Sequence, residues 1–248
     1  MSLDYSQVEL RIAASIAADE KMLQAFEEGA DIHRMTAATV FAVDPDNVTD
    51  EMRFRAKALN FGILYGMGIN TLALNLNISR KEAQIFYDAY FSNFPKVQDW
   101  IKKTTKFAEE NGYVETLFGR KRFLPHISSP HFALKREAER MAINMPVQGT
   151  AADIIKMAMI EVDELLSKKQ FQDKVFMVLQ VHDELLFEVK ESILNEMSKT
   201  FSELNQRIVQ EGIFDLKSMN KKVRNWFEEN NYYFSFNGSS SYFYFQDY

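Results

Sequence analysis

Two β-rich runs, Val175-Phe-Met-Val-Leu-Gln-Val181 and Leu185-Leu-Phe-Glu-Val189, flank three polar residues, His182-Asp183-Glu184, in a chain that otherwise reads mostly as helix. Strand-forming residues on both sides of so short a polar connection predict a hairpin. The opening residues Leu3 to Tyr5 can end a further strand, so the chain reads as α+β, with a small antiparallel sheet backed by helices.

Helix signals occupy most of the remainder. Ser6-Gln-Val-Glu9 has the spacing of a capping box and predicts a helix through about Ala18. A second helix fits 32–42 and stops before Asp44-Pro45. Further helices fit 50–65, 79–91 and 95–111, the last ended by Asn111-Gly112. Tyr113 to Pro125 holds two short extended pieces around Phe118-Gly119-Arg120. A long helical pattern covers about 131–169, with Pro146 and Gly149 predicting a break or kink. A last helix fits 191–211. The stretch 230–248, rich in Phe and Tyr around Gly238, has no clear period and stays unassigned.

No apolar run approaches the ~20 residues that span a bilayer, so no membrane partner is expected. The chain has no cysteine, which excludes disulfides and thiolate metal sites and fits a cytoplasmic protein. The net charge of -6 argues against a polyanion partner only when taken as a sum. Residues 1–51 are strongly acidic, whereas 52–140 are net basic through residues such as Lys102, Lys106, Arg120, Arg122, Arg136 and Arg140. The local field decides polyanion binding.

Three groups of residues can carry chemistry. Asp4, at a strand end and followed by Glu9, is placed to hold a metal; equally, Asp4 can simply begin a helix and Glu9 close its capping box. Arg53, Lys57, Phe61 and Tyr65 recur every four residues along one helix face. Two cations followed by two aromatic rings suit a nucleoside triphosphate, with phosphates at one end and base and sugar at the other. The same stripe is also what a solvated cation pair beside two core rings produces. Gly62 and Gly66 leave room for another chain or a base pair to come close to the rings. His182-Asp183-Glu184 can present a metal-binding edge or form an ordinary polar turn. Together the groups contain what two-metal phosphoryl transfer requires: two carboxylates on a sheet and a cationic clamp.

At these residues the sequence resembles the DNA polymerase I family, family A. Asp4-Tyr-Ser-Gln-Val-Glu-Leu-Arg11 resembles its motif A and Arg53-Phe-Arg-Ala-Lys57-Ala-Leu-Asn-Phe61-Gly-Ile-Leu-Tyr65-Gly66 its motif B. Gln180-Val-His182-Asp183-Glu184 resembles motif C. Asp31-Ile-His33-Arg34, Gly119-Arg-Lys-Arg122 and Arg140-Met-Ala-Ile-Asn144-Met-Pro-Val-Gln148-Gly-Thr-Ala-Ala-Asp153 match connecting segments, in the family's order, over about 3–190.

The resemblance implies a palm at 1–26 and 126–219, helical fingers at 27–125 and a divergent aromatic tail at 220–248. It implies DNA-directed DNA synthesis from dNTPs on a primer–template, with two Mg²⁺ ions held by Asp4 and Asp183 and supported by Glu184. Arg53, Lys57 and His33 would contact the triphosphate, with Lys57 the acid for departing pyrophosphate. Gln7, Phe61 and Tyr65 would meet the nucleotide, and Glu9 would crowd the sugar 2′ position. Arg140, Asn144, Gln148, Gln180 and His182 would touch the primer–template.

The match begins almost on the motif A aspartate, and the family's thumb and first palm segment precede that point. The expectation is therefore a fragment or half of a split polymerase that needs an N-terminal segment. A sheet edge beside motif A would then stand open. The alternative is a catalytically silent piece that binds DNA or a partner chain. After about residue 195 the family's ending is not recognisable.

Overall fold

The computed structural model describes residues 1–5, 7–168 and 170–209, with side chains as far as Leu204. The expected tail at 220–248 and the last residues of the helix expected over 191–211 lie outside these.

Strand β1 (Ser2–Asp4) leads into helix α1 (Val8–Ala17). Gln7 precedes the helix in the left-handed region at φ 57°, with no side-chain cap of its own, and Ser6 of the expected capping box lies outside the described residues. Two helices the sequence reading did not separate are present. Asp19 caps α2 (Glu20–Glu27) by accepting from Met22 N, and Met22, Ala25 and Phe26 form its buried face. Helix α5 (Ile69–Leu76) buries Leu72 and Leu76.

The other predicted helices form near their expected limits: α3 (Ile32–Phe41), α4 (Asp50–Leu64), α6 (Arg80–Asn93) and α7 (Pro95–Asn111). Their ends are chemically marked. Asp31 caps α3, Thr49 caps α4, and Ser79 with Glu82 forms a capping box on α6. Pro95 opens α7, and Gly112 closes it at φ 75°.

The two extended pieces are β2 (Tyr113–Glu115) and β3 (Lys121–Phe123), an antiparallel pair turning at Gly119. Helix α8 then runs unbroken from Phe132 to Leu166, with Pro146 inside it. The expected break is absent. Pro146 forfeits one backbone bond, but Met145, Pro146 and Val147 are all buried, and that packing holds the helix through the defect. Gly149 serves close approach instead of a break. A Cβ there would sit 2.6 Å from Thr116 Cγ2, and the Gly149 carbonyl accepts from Arg120 Nη2 at 2.8 Å. Arg120 also bonds Asp153, and Thr150 Oγ1 accepts from Leu117 N, so the β2–β3 hairpin is stapled to α8.

The predicted hairpin forms from β4 (Val175–Val181) and β5 (Glu184–Val189), with an irregularity between Met177 and Leu179. Its turn is shorter than expected, because Glu184 already belongs to β5 and only His182 and Asp183 connect the strands. Helix α9 (Leu194–Val209) follows. The sheet order is β1-β5-β4, all antiparallel. Among the described residues, β1 pairs on one side only, which leaves the open edge beside motif A that the sequence predicts. The main core lies between this sheet and α1, α4, α7 and α8, with Tyr5, Leu10, Ile12, Leu59 and Leu185 at 2% exposure or less.

Replacing Gly149 with alanine improves helix propensity by about 1 kcal/mol but drives a methyl group into Thr116. The clash wins. Urea unfolding of Gly149→Ala should show a net loss of about 1–2 kcal/mol, and unchanged or higher stability would refute the close-approach role.

Candidate active site

The pairing of β1 with β5 puts Ser2 opposite Leu186, Leu3 opposite Leu185, and Asp4 opposite Glu184. Leu3 points into the core while Ser2 and Asp4 are exposed on the opposite face. Past the ladder, Tyr5 N donates to the Asp183 carbonyl at 3.0 Å, which locks the Asp4 and Asp183 backbones side by side. Ser2 Oγ donates to the Glu184 carboxylate. Burial, then the charges of Asp183 and Glu184, hold the Asp4 carboxyl above its ordinary range. His182 takes the left-handed conformation at φ 54°, and its carbonyl accepts from Gln180 Nε2 at 2.8 Å.

Helix α4 faces this acidic corner across a cleft of about 600 Å³. Of the predicted site residues, Asp4, Gln7, Glu9, His33, Arg53, Lys57, Phe61, Tyr65, Gln148, Gln180, His182 and Asp183 all line it. The cationic–aromatic stripe is therefore real, and it meets the carboxylates. The Phe61 and Tyr65 rings stack at 6.1 Å and 27°, and His33 leans on Phe61 at 5.8 Å.

Asp31 aims the cationic end. One carboxylate oxygen caps α3 through the His33 and Arg34 N–H groups, and the other accepts from Arg53 Nε at 2.5 Å. Hydrogen bonds from Arg53, Arg34 and His33 outweigh burial, so the Asp31 carboxyl lies below its ordinary range.

At the aromatic end, Tyr65 Oη donates to Glu9 Oε2 at 2.5 Å. Glu9 thus bonds across 56 residues of chain. Burial raises the Glu9 carboxyl, the Tyr65 bond lowers it in part, and Asp183 raises it again. Burial and the bond to Glu9 push the Tyr65 hydroxyl up to about 12.

The space beside the two motif B glycines is filled from within the chain. A Cβ on Gly62 would meet Met67 Sδ at 3.0 Å, and one on Gly66 would meet Arg140 Cγ at 3.1 Å. Gly66 also needs its left-handed φ of 68°. These glycines admit Met67 and α8, where a base pair or another chain was expected.

Three predicted residues do not line the cleft. Glu184 is engaged with Ser2, while Arg140 and Asn144 lie two turns and one turn before Gln148 on α8. They extend a four-residue stripe away from it. Asn144 Oδ1 is buried without a hydrogen-bond partner.

The profile of DNA polymerase family A matches residues 1–227. The chain belongs to DNA polymerase family A. It is 49% identical over 211 residues to DNA polymerase I of Streptococcus pneumoniae (strain R6), covering 85% of this chain and 24% of that protein. DNA polymerase I of Caldicellulosiruptor bescii is 50% identical over 202 residues, covering 78% of this chain and 24% of that protein. The thermostable enzyme of Thermus thermophilus is 44% identical over 207 residues, covering 84% and 24%. A solved structure of the POL domain of Pol1 from M. smegmatis, in complex with DNA primer-template and dNTP, aligns with a TM-score of 0.79. Identity there is 40%, over 84% of this chain and 36% of that one. This family A chain thus spans about a quarter of the length of its curated relatives. The family match continues past residue 195, where the recognisable motifs stop.

Among the described residues no group of three or more histidines, cysteines or acids is arranged to hold a metal ion. The corner of this family A chain suits a metal differently. Asp4 and Asp183 are crowded carboxylates whose repulsion a divalent cation relieves, and an all-oxygen, open donor set suits Mg²⁺ with its remaining ligands from water or phosphate.

Sequence reasoning missed the polar residues that orient the site. Asp31 has an N-cap position as its signal. Asn60 and Thr36, both buried, have only the oddity of a polar residue on a packed helix face.

Tyr65→Phe removes the interaction that lowers the Glu9 carboxyl and keeps those that raise it. A side-chain ¹³C NMR titration should show the Glu9 pKa rising further, and a fall or no change would contradict the assigned balance.

Proposed function

We propose that the chain is the palm-and-fingers core of a DNA-directed DNA polymerase, transferring nucleotides from dNTPs to a primer 3′-hydroxyl. The observation that carries this reading is a single cleft whose one wall is the Asp4–Asp183 corner and whose other is Arg53, Lys57, Phe61 and Tyr65. Under this reading residues 1–26 and 126–219 are palm and 27–125 are fingers. The complex of the M. smegmatis protein with primer-template and dNTP supports these partners.

Each side chain then has a task. Arg53, aimed by Asp31, grips the triphosphate with His33 and Lys57. Lys57 holds a proton at Nζ for the departing pyrophosphate. Phe61 and Tyr65 pack on the nucleotide beside Gln7. Glu9, held by Tyr65, occupies the space a 2′-hydroxyl would need. Gln148, Gln180 and His182, with Arg140 and Asn144 beyond the cleft, contact the primer–template. Asp4 and Asp183 would hold two Mg²⁺ ions, with Glu184 in support; the ions would supply Lewis acidity at the 3′-hydroxyl and neutralise phosphate charge. Because a polymerase accepts every correct pair, contacts to phosphate and minor groove suit it better than major-groove readout.

An N-terminal polymerase segment supplying the thumb is the partner chain this reading proposes. Primer extension should be measured with Mg²⁺ and four dNTPs, with and without that segment. Extension is expected with it. Asp183→Asn should lower the rate by on the order of 10³-fold or more while DNA binding persists. Absence of extension in both mixtures would favour a silent DNA-binding piece.

A further inference from the structure

Behind the cationic end of the cleft, His33, Thr36 and Asn60 form a buried polar set at 3%, 1% and 0% exposure. Thr36 lies one turn after His33 on α3, and Asn60 lies on α4, which packs against it. Asn60 Nδ2 is 2.8 Å from His33 Nδ1, and Thr36 Oγ1 lies 3.0 Å from Asn60 Oδ1 and 2.9 Å from the Ile32 carbonyl.

The direction of these bonds follows from counting protons. A threonine hydroxyl has one. The Ile32 carbonyl already accepts the helical N–H of Thr36, four residues on. Among the described residues Asn60 Oδ1 has no other donor, and a buried amide oxygen without one is costly. In the arrangement the structure gives, Thr36 Oγ1 donates to Asn60 Oδ1 and the amide nitrogen faces His33. An amide N–H can only donate, so His33 Nδ1 must present its lone pair, and the ring proton must sit on Nε2.

We propose that Asn60 is a positioning residue that locks His33 as the neutral Nε2–H tautomer, so that the cleft receives an N–H donor instead of a lone pair. This rests on the nucleotide-binding reading of the cleft. His33 lines the cleft, and with Nδ1 engaged by Asn60 it is Nε2 that remains for a ligand. A polyphosphate offers only acceptors there, so the wrong tautomer would set lone pair against lone pair.

The surroundings agree. Burial lowers the His33 pKa to about 4, with Arg53 and Lys57 on α4 lowering it and Asp31 at the α3 cap opposing them. The ring is therefore neutral near pH 7, and its tautomer matters. Two full cations, Arg53 and Lys57, carry the charge, while His33 adds direction.

The test is long-range ¹H–¹⁵N NMR of the imidazole nitrogens in the unmodified chain between about pH 6 and pH 8. His33 should show an unprotonated Nδ1 and a protonated Nε2 throughout. An Nδ1–H pattern, or fast averaging of both, would overturn the proposal. Thr36→Val then frees the Asn60 amide to flip and should move the population toward Nδ1–H, whereas an unchanged tautomer would remove Thr36 and Asn60 as its cause. In a chain that extends primers, Asn60→Leu should raise the dNTP KM about 3–10-fold with a smaller change in kcat, as expected for one lost hydrogen bond. The tautomer is read without nucleotide, so a polymerase that fails to extend and a histidine in the wrong tautomer are separate failures.

Discussion

Three residues of β1 hold the chemistry of this protein together. Asp4 and Asp183 are far apart in sequence, and only the antiparallel pairing of Ser2–Asp4 with Glu184–Leu186 makes them neighbours. So short a ladder is anchored at both ends. Met1 and Phe187 exchange backbone hydrogen bonds at 2.8 Å in each direction, and Tyr5 N reaches the Asp183 carbonyl. Leu3 and Tyr5, both buried, fix which face points inward, because a slip of one residue would turn Asp4 into the core. Two mutually repelling carboxylates are costly for a free chain to hold together, and the strand pairing offsets that cost before any cation arrives.

The second wall of the cleft is fixed by polar contacts between α3 and α4. Asp31 bridges the start of α3 to Arg53, and the His33–Asn60–Thr36 set joins the same helices about two turns further along α4. Between them the stripe from Arg53 to Tyr65 cannot rotate without breaking buried hydrogen bonds, each of which costs more to lose than it contributes when made. The Tyr65–Glu9 bond then ties the far end of α4 to α1, which follows directly from β1. Sheet corner and cationic–aromatic face are thus set relative to one another by side chains that lie in or behind the cleft.

Much of this was legible in the sequence. The hairpin showed in its β-branched and aromatic runs, the stripe in its four-residue spacing, and the end of α7 in Asn111-Gly112, because each signal is local. What failed depended on residues distant in the chain. Pro146 left a break or a kink open, and only the buried neighbours show that the helix is not broken. Gly62 and Gly66 looked like space for a ligand because nothing in the sequence says that Met67 and Arg140 fill it. Nothing local to Glu9 says that it bonds Tyr65, 56 residues away. Asn60 gave no local sign that it controls a histidine on another helix.

The relation between the sheet corner and the cationic–aromatic face is open to one direct measurement, paramagnetic broadening of backbone amide signals by Mn²⁺ in place of Mg²⁺. Added Mn²⁺ should broaden the amides of Asp4, Tyr5 and Asp183 first. A dNTP should strengthen the effect and extend it to Lys57 and Phe61 across the cleft, and Asp4→Asn together with Asp183→Asn should abolish it. Broadening centred elsewhere, or unchanged in that double variant, would mean that the strand pairing does not build the cation site.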